Sequence, residues 1–425
     1  MKKIGVAILG LGTVGGGTYE ILTKNHDKIL AVDGVDVDVL AVVELNKERA
    51  LSLGVPEDRI YNDMQKVVEN PNIDIVVEVI GGTGVAKKFI EMALGAGKSV
   101  VTANKELIAK SWSELEKIAK ENGAGLYFEA SCVGGVPIIR VLNEAMQANN
   151  LLLLKGIING TTNFILSKMS GEGLTYDVVL KEAQANGFAE ANPTADVEGY
   201  DAAYKLSILS SLAFNKKVPL DKIYREGITR IDATDIKYGK ELGYTLKLLA
   251  IAKDTPKGIE ARVHPAFVKN DNPLASVNGS FNAVLLNGDM VDDIMLYGRG
   301  AGSLPTGSAI VSDVIFAAKQ TEHKYSAFDN SVSAGEKTLM NTNFETRYYI
   351  RLTTENIAGV LKDITGLFDK YLISITALLQ KEATEDFASI IFITDTTSEN
   401  QVRSALDEIN QLNTVKNVDA VLRVE

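Results

Sequence analysis

Residues 4–15 read IGVAILGLGTVG. An uninterrupted apolar run, as a strand buried in a parallel sheet has, ends in Gly10, Gly12 and Gly15 at G-x-G-x-x-G spacing. The residues after it, GGTYEILTKN (16–25), have helical character. Strand, glycine turn and helix in that order form the phosphate-binding corner of a dinucleotide fold. Gly10 permits the tight turn, Gly12 lets backbone approach a pyrophosphate, and Gly15 lets the helix pack closely on the sheet. The helix N-terminus offers free N–H groups and the positive end of its dipole.

Moving outward, VDVLAVV (37–43) predicts a second strand ending at Glu44. An acid there suits the adenosine ribose hydroxyls of NAD, but Lys47 and Arg49 follow and could hold the 2′-phosphate of NADP. The offset from the glycines also exceeds the usual ~20 residues, so the choice stays open. Apolar runs at 73–80, 99–103 and 125–130 predict further strands separated by helical segments. This alternation is that of a doubly wound α/β domain. Lys105 and Glu129 fall at strand ends, where such sheets bind ligands. A lysine there reads equally well as a surface residue.

From about 136 the alternation loosens. PIIRVLNEAMQANN (137–150) reads as helix, LLLLKGIIN (151–159) as strand, and mixed helices and strands follow to about 297. This predicts an α+β substrate domain on a large mixed sheet. In 298–320, three glycines precede Pro305-Thr306 and an apolar helix that returns to the first domain; the turn suits either a ligand or a plain loop. Polar, aperiodic residues 321–345 read as a linker. From 346 to 425 the pattern is βαββαβ, the ferredoxin-like order.

Within 186–209, Asp201 and Lys205 stand four residues apart on one face of a helical stretch, beside an acidic turn with Glu190, Asp196 and Glu198. Beside the apolar stripe, the pair should be partly exposed. It could manage a proton, or be an ordinary i,i+4 ion pair. Asp196 and Glu198 receive no role.

Bulk properties exclude several classes. The net charge of −11 argues against a nucleic-acid partner. One cysteine, Cys132, allows no internal disulfide and no cysteine metal cage, and suits a reducing cytoplasm. Three dispersed histidines make no zinc spacing. No apolar run reaches the ~18 residues of a membrane span. The glycine-broken start reads as a strand, not a signal peptide.

With these pieces placed, the chain closely resembles homoserine dehydrogenases that carry a C-terminal ACT domain. The motifs are GLGTVG (10–15), EVIGG (78–82), TANKELIA (102–109), EASCVGGVPII (129–139), GIINGTTNFIL (156–166), GFAEANPTADVEGYDAAYKL (187–206) and GAGSLPT (300–306). The resemblance implies NAD(P)-dependent interconversion of L-homoserine and L-aspartate 4-semialdehyde, in threonine and methionine biosynthesis. It implies Lys205 as acid/base, Asp201 as substrate-orienting residue, Glu190 as substrate contact and Lys105 beside nicotinamide and substrate. The implied cofactor contacts are Gly10, Gly12, Thr13, Val14, Gly15, Glu44, Lys105, Gly187, Glu190 and Gly302. Some members bind sodium through a glutamate and three carbonyls, here Glu129 with Cys132, Gly134 and Val136. The Asn356–Gly359 turn corresponds to the ACT ligand loop, but lacks that family's usual Asp and Pro. Threonine is the natural effector; the alternative is a module that only holds subunits together. A homo-oligomer is expected, since ACT modules pair and a lone four-stranded sheet exposes edges. Two further readings stand beside this one: a Rossmann dehydrogenase of another hydroxy amino acid, and a non-catalytic amino-acid sensor.

Overall fold

The computed structural model describes residues 2–328, 330, 338–381 and 383–425. The first six strands are β1 (Lys2–Leu9), β2 (Val35–Val43), β3 (Ile60–Tyr61), β4 (Ile75–Glu78), β5 (Ser99–Thr102) and β6 (Leu126–Tyr127). They form one parallel sheet in the order β3-β2-β1-β4-β5-β6. The order reverses between β1 and β4, so the crevice beyond those strand ends is the natural ligand position. The expected α/β architecture is present.

Gly10 leaves β1 at φ +92°, a conformation glycine adopts without penalty. A Cβ at Gly15 would lie 2.0 Å from the Gly10 carbonyl oxygen, so helix Thr13–Lys24 can start only with glycine there. Helix Ser303–Lys319 crosses this helix where Gly17 and Gly307 meet. A Cβ at Gly17 would sit 2.5 Å from the Ser303 carbonyl oxygen, and one at Gly307 2.9 Å from the Thr18 nitrogen. Ala309, Ile310 and Val314 of the later helix join one core with Ile4, Val6 and Ile8 of β1.

Two sequence expectations shift here. Strand β6 stops at Tyr127 rather than 130, because Glu129–Ser131 turns into a 3₁₀ helix whose Glu129 N–H donates to Asp313 at 2.8 Å. The helix expected over 137–150 is a short α turn, Ile138–Arg140, followed by a π turn, Val141–Ala145.

The remaining strands are β7 (Leu151–Ile157), β8 (Tyr224–Arg225), β9 (Tyr244–Thr255), β10 (Gly258–Lys269), β11 (Phe281–Gly288), β12 (Asp292–Arg299), β13 (Glu345–Glu355), β14 (Ile375–Lys381), β15 (Phe387–Thr394), β16 (Thr397–Ser398) and β17 (Val415–Val424). They belong to a single second sheet, ordered β12-β11-β7-β9-β10-β17-β13-β15-β14, with β8 on β10 and β16 on β13. The C-terminal sheet is therefore not the lone four-stranded sheet expected. Its edge strand β17 runs parallel to β10 through Ala266–Arg423 and Phe267–Val424. Arg351 of β13 adds Nε and Nη2 bonds of 2.6 and 3.0 Å to Asp235, which also accepts from Tyr349 at 2.8 Å. The helix expected from 355 begins at Val360, because Gly359 turns left-handed at φ +101°.

Of the expected linker 321–345, residues 329 and 331–337 lie outside the described residues. Described parts of it are tied down. Ser326 and Asn330 donate to Glu116 of helix Lys105–Glu121 at 2.8 Å. Among the described residues, no helix is long and apolar enough to cross a membrane.

Candidate active site

A cavity of about 520 Å³ lies between the two sheets. Ala103 and Lys105 beyond β5, and Ala130, Ser131 and Gly134 beyond β6, form one wall. Asn159–Thr161 beyond β7, Asp201 and Lys205, and the Arg299–Gly302 turn form the other. Val14 comes in from the glycine turn, and Gly187 from the acidic turn.

Asn159 organises the second wall. Its Oδ1 caps helix Gly160–Glu172 by accepting the Thr162 N–H at 2.9 Å. Its Nδ2 donates to Asp196 at 2.7 Å and to Asp201 at 2.9 Å, so three polar obligations close on one buried amide. Asp201 is in the first turn of helix Tyr200–Phe214, and Lys205 one turn later. The Lys205 Nζ donates to Asp201 Oδ2 at 2.6 Å and to the Ile158 carbonyl at 2.8 Å. Asp201 Oδ1 faces Lys105 Nζ at 3.3 Å. Asp201 and Lys205 are buried, not partly exposed as their spacing suggested. Their helix is covered by β7, β9 and β10 and by helix Lys105–Glu121, which hides the polar face along with the apolar one.

Burial alone would push the Asp201 carboxyl up. The ammonium groups of Lys205 and Lys105, with hydrogen bonds from Lys205 and Asn159, outweigh it and hold that carboxyl at about 2. The Asp201 charge in turn raises Lys105 above the ordinary lysine value, against the effect of burial. Asp196 is raised, mainly by burial. An ammonium has three N–H donors. Two of those on Lys205 are engaged, leaving one for an oxygen atom entering the cavity.

The other expected residues are placed less uniformly. Val14, Lys105, Gly187 and Gly302 line the cavity. Gly12 has nothing within 4 Å of a would-be Cβ, an open approach to the helix start, and the neighbouring Thr13 begins the helix. Glu44 is fastened to the glycine turn, accepting the Leu11 N–H at 2.7 Å and the Asn46 N–H at 2.9 Å. Burial pushes its carboxyl up, but these backbone donors hold it below its ordinary value. Lys47 is paired with Glu57, at 2.5 Å, while Arg49 donates through Nε to the Leu11 carbonyl. Glu190 is exposed and does not line the cavity; its turn is held by Phe188, which stacks on Phe164 at 4.6 Å. Glu129 is buried, with its two oxygens accepting the Ile139 and Arg140 N–H groups at 2.8 and 2.7 Å. Cys132 is buried and burial pushes its thiol up to about 12, so it is no thiolate.

Asn159 and Asp196 are the site residues that sequence reasoning missed. The available signal was the Asn-Gly-Thr-Thr run after a strand, which reads as a helix cap; nothing local says that the cap's amide also serves two carboxylates.

Comparison with known proteins follows the same lines. A homoserine dehydrogenase model matches residues 137–315, its NAD-binding domain model residues 10–129, and an ACT domain model residues 348–414. Homoserine dehydrogenase of Neisseria gonorrhoeae is 40% identical over 432 residues, covering 100% of this chain and 99% of that protein. The chain belongs to the homoserine dehydrogenase family. The Bacillus subtilis homoserine dehydrogenase is 39% identical over 428 residues, with 100% and 99% coverage. The solved homoserine dehydrogenase of Thiobacillus denitrificans superposes with a TM-score of 0.93 at 41% identity, covering 100% of this chain and 99% of that one. A hyperthermophilic archaeal homoserine dehydrogenase in complex with NADPH shares 31% identity and a TM-score of 0.64, covering 76% of this chain and 99% of that one. As a member of this family, the chain is an NAD(P)-dependent oxidoreductase acting on a CH–OH group, which sets aside the reading as a non-catalytic sensor.

Proposed function

We propose that L-homoserine and L-aspartate 4-semialdehyde are interconverted in the cavity above Asp201, with Lys205 carrying the proton. The observation that supports this most is the Lys205 ammonium, fixed by Asp201 and the Ile158 carbonyl with one donor unspent on the cavity side. In the direction of reduction, negative charge develops on the aldehyde oxygen, and Lys205 stabilises it and gives up a proton. In oxidation, Lys205 as the amine accepts the hydroxyl proton. Lys105 polarises the same oxygen, and Asp201 orients Lys205 and the substrate's ammonium. Glu190 reaches that ammonium by movement of its turn toward the cavity.

Bound nicotinamide supplies or accepts the hydride. Gly10, Gly12, Thr13, Val14 and Gly15 would hold its phosphates, Glu44 the adenosine ribose, and Lys105, Gly187, Glu190 and Gly302 the nicotinamide end. NAD and NADP both remain within this reading, with Arg49 beside Glu44.

Glu129 and the carbonyls of Cys132, Gly134 and Val136 would hold a sodium ion; an all-oxygen set suits a hard cation. Val133 adopts φ +56°, a strained conformation for a β-branched residue and of the kind concentrated at built sites. Such an ion would brace the loop that carries Ser131 and Gly134 into the cavity wall.

We divide the chain into a nucleotide-binding domain (1–135, completed by 305–320), a catalytic and dimerisation domain (136–320), a connecting segment (321–345) and an ACT domain (346–425). The ACT domain takes an amino-acid effector, threonine, at the Asn356–Gly359 turn, where Ile357 is exposed. The enzyme works as a homo-oligomer in the cytoplasm. Steady-state kinetics with NAD and NADP in parallel test the substrate. L-Homoserine should exceed other hydroxy amino acids in kcat/KM by about tenfold or more, and a faster competitor would overturn the assignment. Activity unchanged by millimolar L-threonine would remove the effector claim.

A further inference from the structure

The N-terminus of the catalytic helix is held from behind by residues 224–229. Arg225 of β8 donates to the Glu198 carbonyl, and its guanidinium carbon lies 3.5 Å from the centre of the Tyr200 ring. The Ile228 N–H donates to the Val197 carbonyl at 2.8 Å, and the Thr229 hydroxyl to Glu198 at 2.9 Å. A Cβ at Gly227 would lie 2.4 Å from the Val197 carbonyl oxygen, so the two segments are in backbone contact. Asp201 follows Tyr200 directly.

The same segment is gripped from the other side by the C-terminal domain. Arg423 of β17 is buried and donates to Glu226, to the Tyr224 hydroxyl at 2.8 Å and to Glu399 at 2.8 Å. The Tyr224 hydroxyl donates to Glu226 at 2.8 Å, closing the group. Among the described residues, strand β8 pairs only with β10, through Arg262–Tyr224 and Val263–Arg225. Beside these pairs and the Glu226 N–H bond to the Val263 carbonyl at 2.8 Å, the side chains of Tyr224, Arg225 and Glu226 tie this two-residue strand to the catalytic helix on one side and to β17 on the other.

We propose that 224–229 is a relay in which Arg225 is a positioning residue for Asp201 and Lys205, and Arg423 sets Arg225 from the ACT domain. A shift of β17 is then transmitted to the catalytic helix through one short strand. This rests on the reading of Lys205 as the proton carrier.

The test is steady-state kinetics on the full-length enzyme with L-homoserine, comparing Arg225→Met, Arg225→Lys, Arg423→Met and the double Met variant. Arg225→Met should lower kcat roughly three- to thirtyfold, with the KM for nucleotide unchanged. Arg225→Lys, which keeps a charged donor, should recover part of the loss. Arg423→Met should lower kcat in the same direction, and the double variant should be no worse than Arg225→Met alone. Losses that multiply in the double variant, or a kcat for Arg225→Met within about twofold of the parent, overturn the relay. Should Arg423→Met not accumulate as folded protein, Tyr224→Phe takes its place, removing only the hydroxyl between Arg423 and Glu226. Its loss of kcat should vanish in the Arg225→Met background, and no loss at all counts against the proposal. Lys205→Ala is run alongside. An active Lys205→Ala overturns the site reading; an inactive one beside an indifferent Arg225→Met overturns the relay alone.

Discussion

Two buried clusters of opposite charges lie on the second sheet and its helices, and they differ in how completely they close. Around Arg262, every carboxylate oxygen is matched. Arg262 binds Glu260 at 2.7 Å and Glu425 at 2.9 Å, Lys155 takes the other Glu425 oxygen at 2.6 Å, and Asn341 takes the other Glu260 oxygen at 3.1 Å. The Arg262 side chain is 0% exposed. Around Asp201, the carboxylate is as fully engaged, but its cations border a cavity. The Lys105 side chain is 43% exposed, and Lys205, with two of its three donors engaged, lines the cavity. A closed cluster fixes the joint between domains. A cluster with spare donors at a cavity wall has somewhere to put a substrate oxygen.

The largest effect that would sharpen this contrast is at Lys205. Lys205→Ala should lower kcat by about 10²–10⁴-fold, the usual contribution of a general acid/base, while the KM for homoserine moves only a few-fold. Breaking the closed cluster should act on stability. Arg262→Met leaves Glu260 and Glu425 buried and short of a partner, at a cost of about 3–5 kcal/mol. Denaturant midpoints measure this, and the folded fraction should keep near-parental turnover.

A third prediction concerns acid. The Asp201 carboxyl is held at about 2, below its ordinary 3.8, so the fold favours its ionised form. That contribution, about 2 kcal/mol, is complete above the ordinary carboxyl range and is lost as pH falls from about 4 to 2. Asp201→Asn should flatten that part of the stability–pH curve. An unchanged slope would mean that the pair does not hold in solution. The smallest effect is at the exposed Glu190, where Glu190→Ala should raise the KM for homoserine by about tenfold or less, with kcat little changed. An unaltered KM removes Glu190 from the substrate contacts.

The sequence announced some of this directly. The glycine turn is local chemistry: Gly10 needs its left-handed φ and Gly15 its missing Cβ, and both needs act within a few residues. The βαββαβ order of 346–425 was legible for the same reason, as each element has its own period. What stayed hidden depends on distant pairings. Strands β3 and β8 have two residues each and no period to detect. The joining of β17 to β10 through two residue pairs merges two sheets that read as separate. The 201/205 spacing was visible but read as an ion pair of uncertain depth, since its burial comes from strands β7, β9 and β10, distant in the chain. Asp196 looked like a turn residue because its link to Asp201 runs through the Asn159 amide.

On the proposed mechanism, openness to the cavity, and not burial of charge, marks the reacting lysine. The direct test places one lysine from each cluster side by side, measuring kcat/KM for L-homoserine in Lys205→Ala and Lys155→Met. A fall of about 10²-fold or more for Lys205→Ala, with Lys155→Met within a few-fold of the parent, is expected. Equal losses in the two variants, or a Lys205→Ala enzyme that turns over like the parent, would contradict the account.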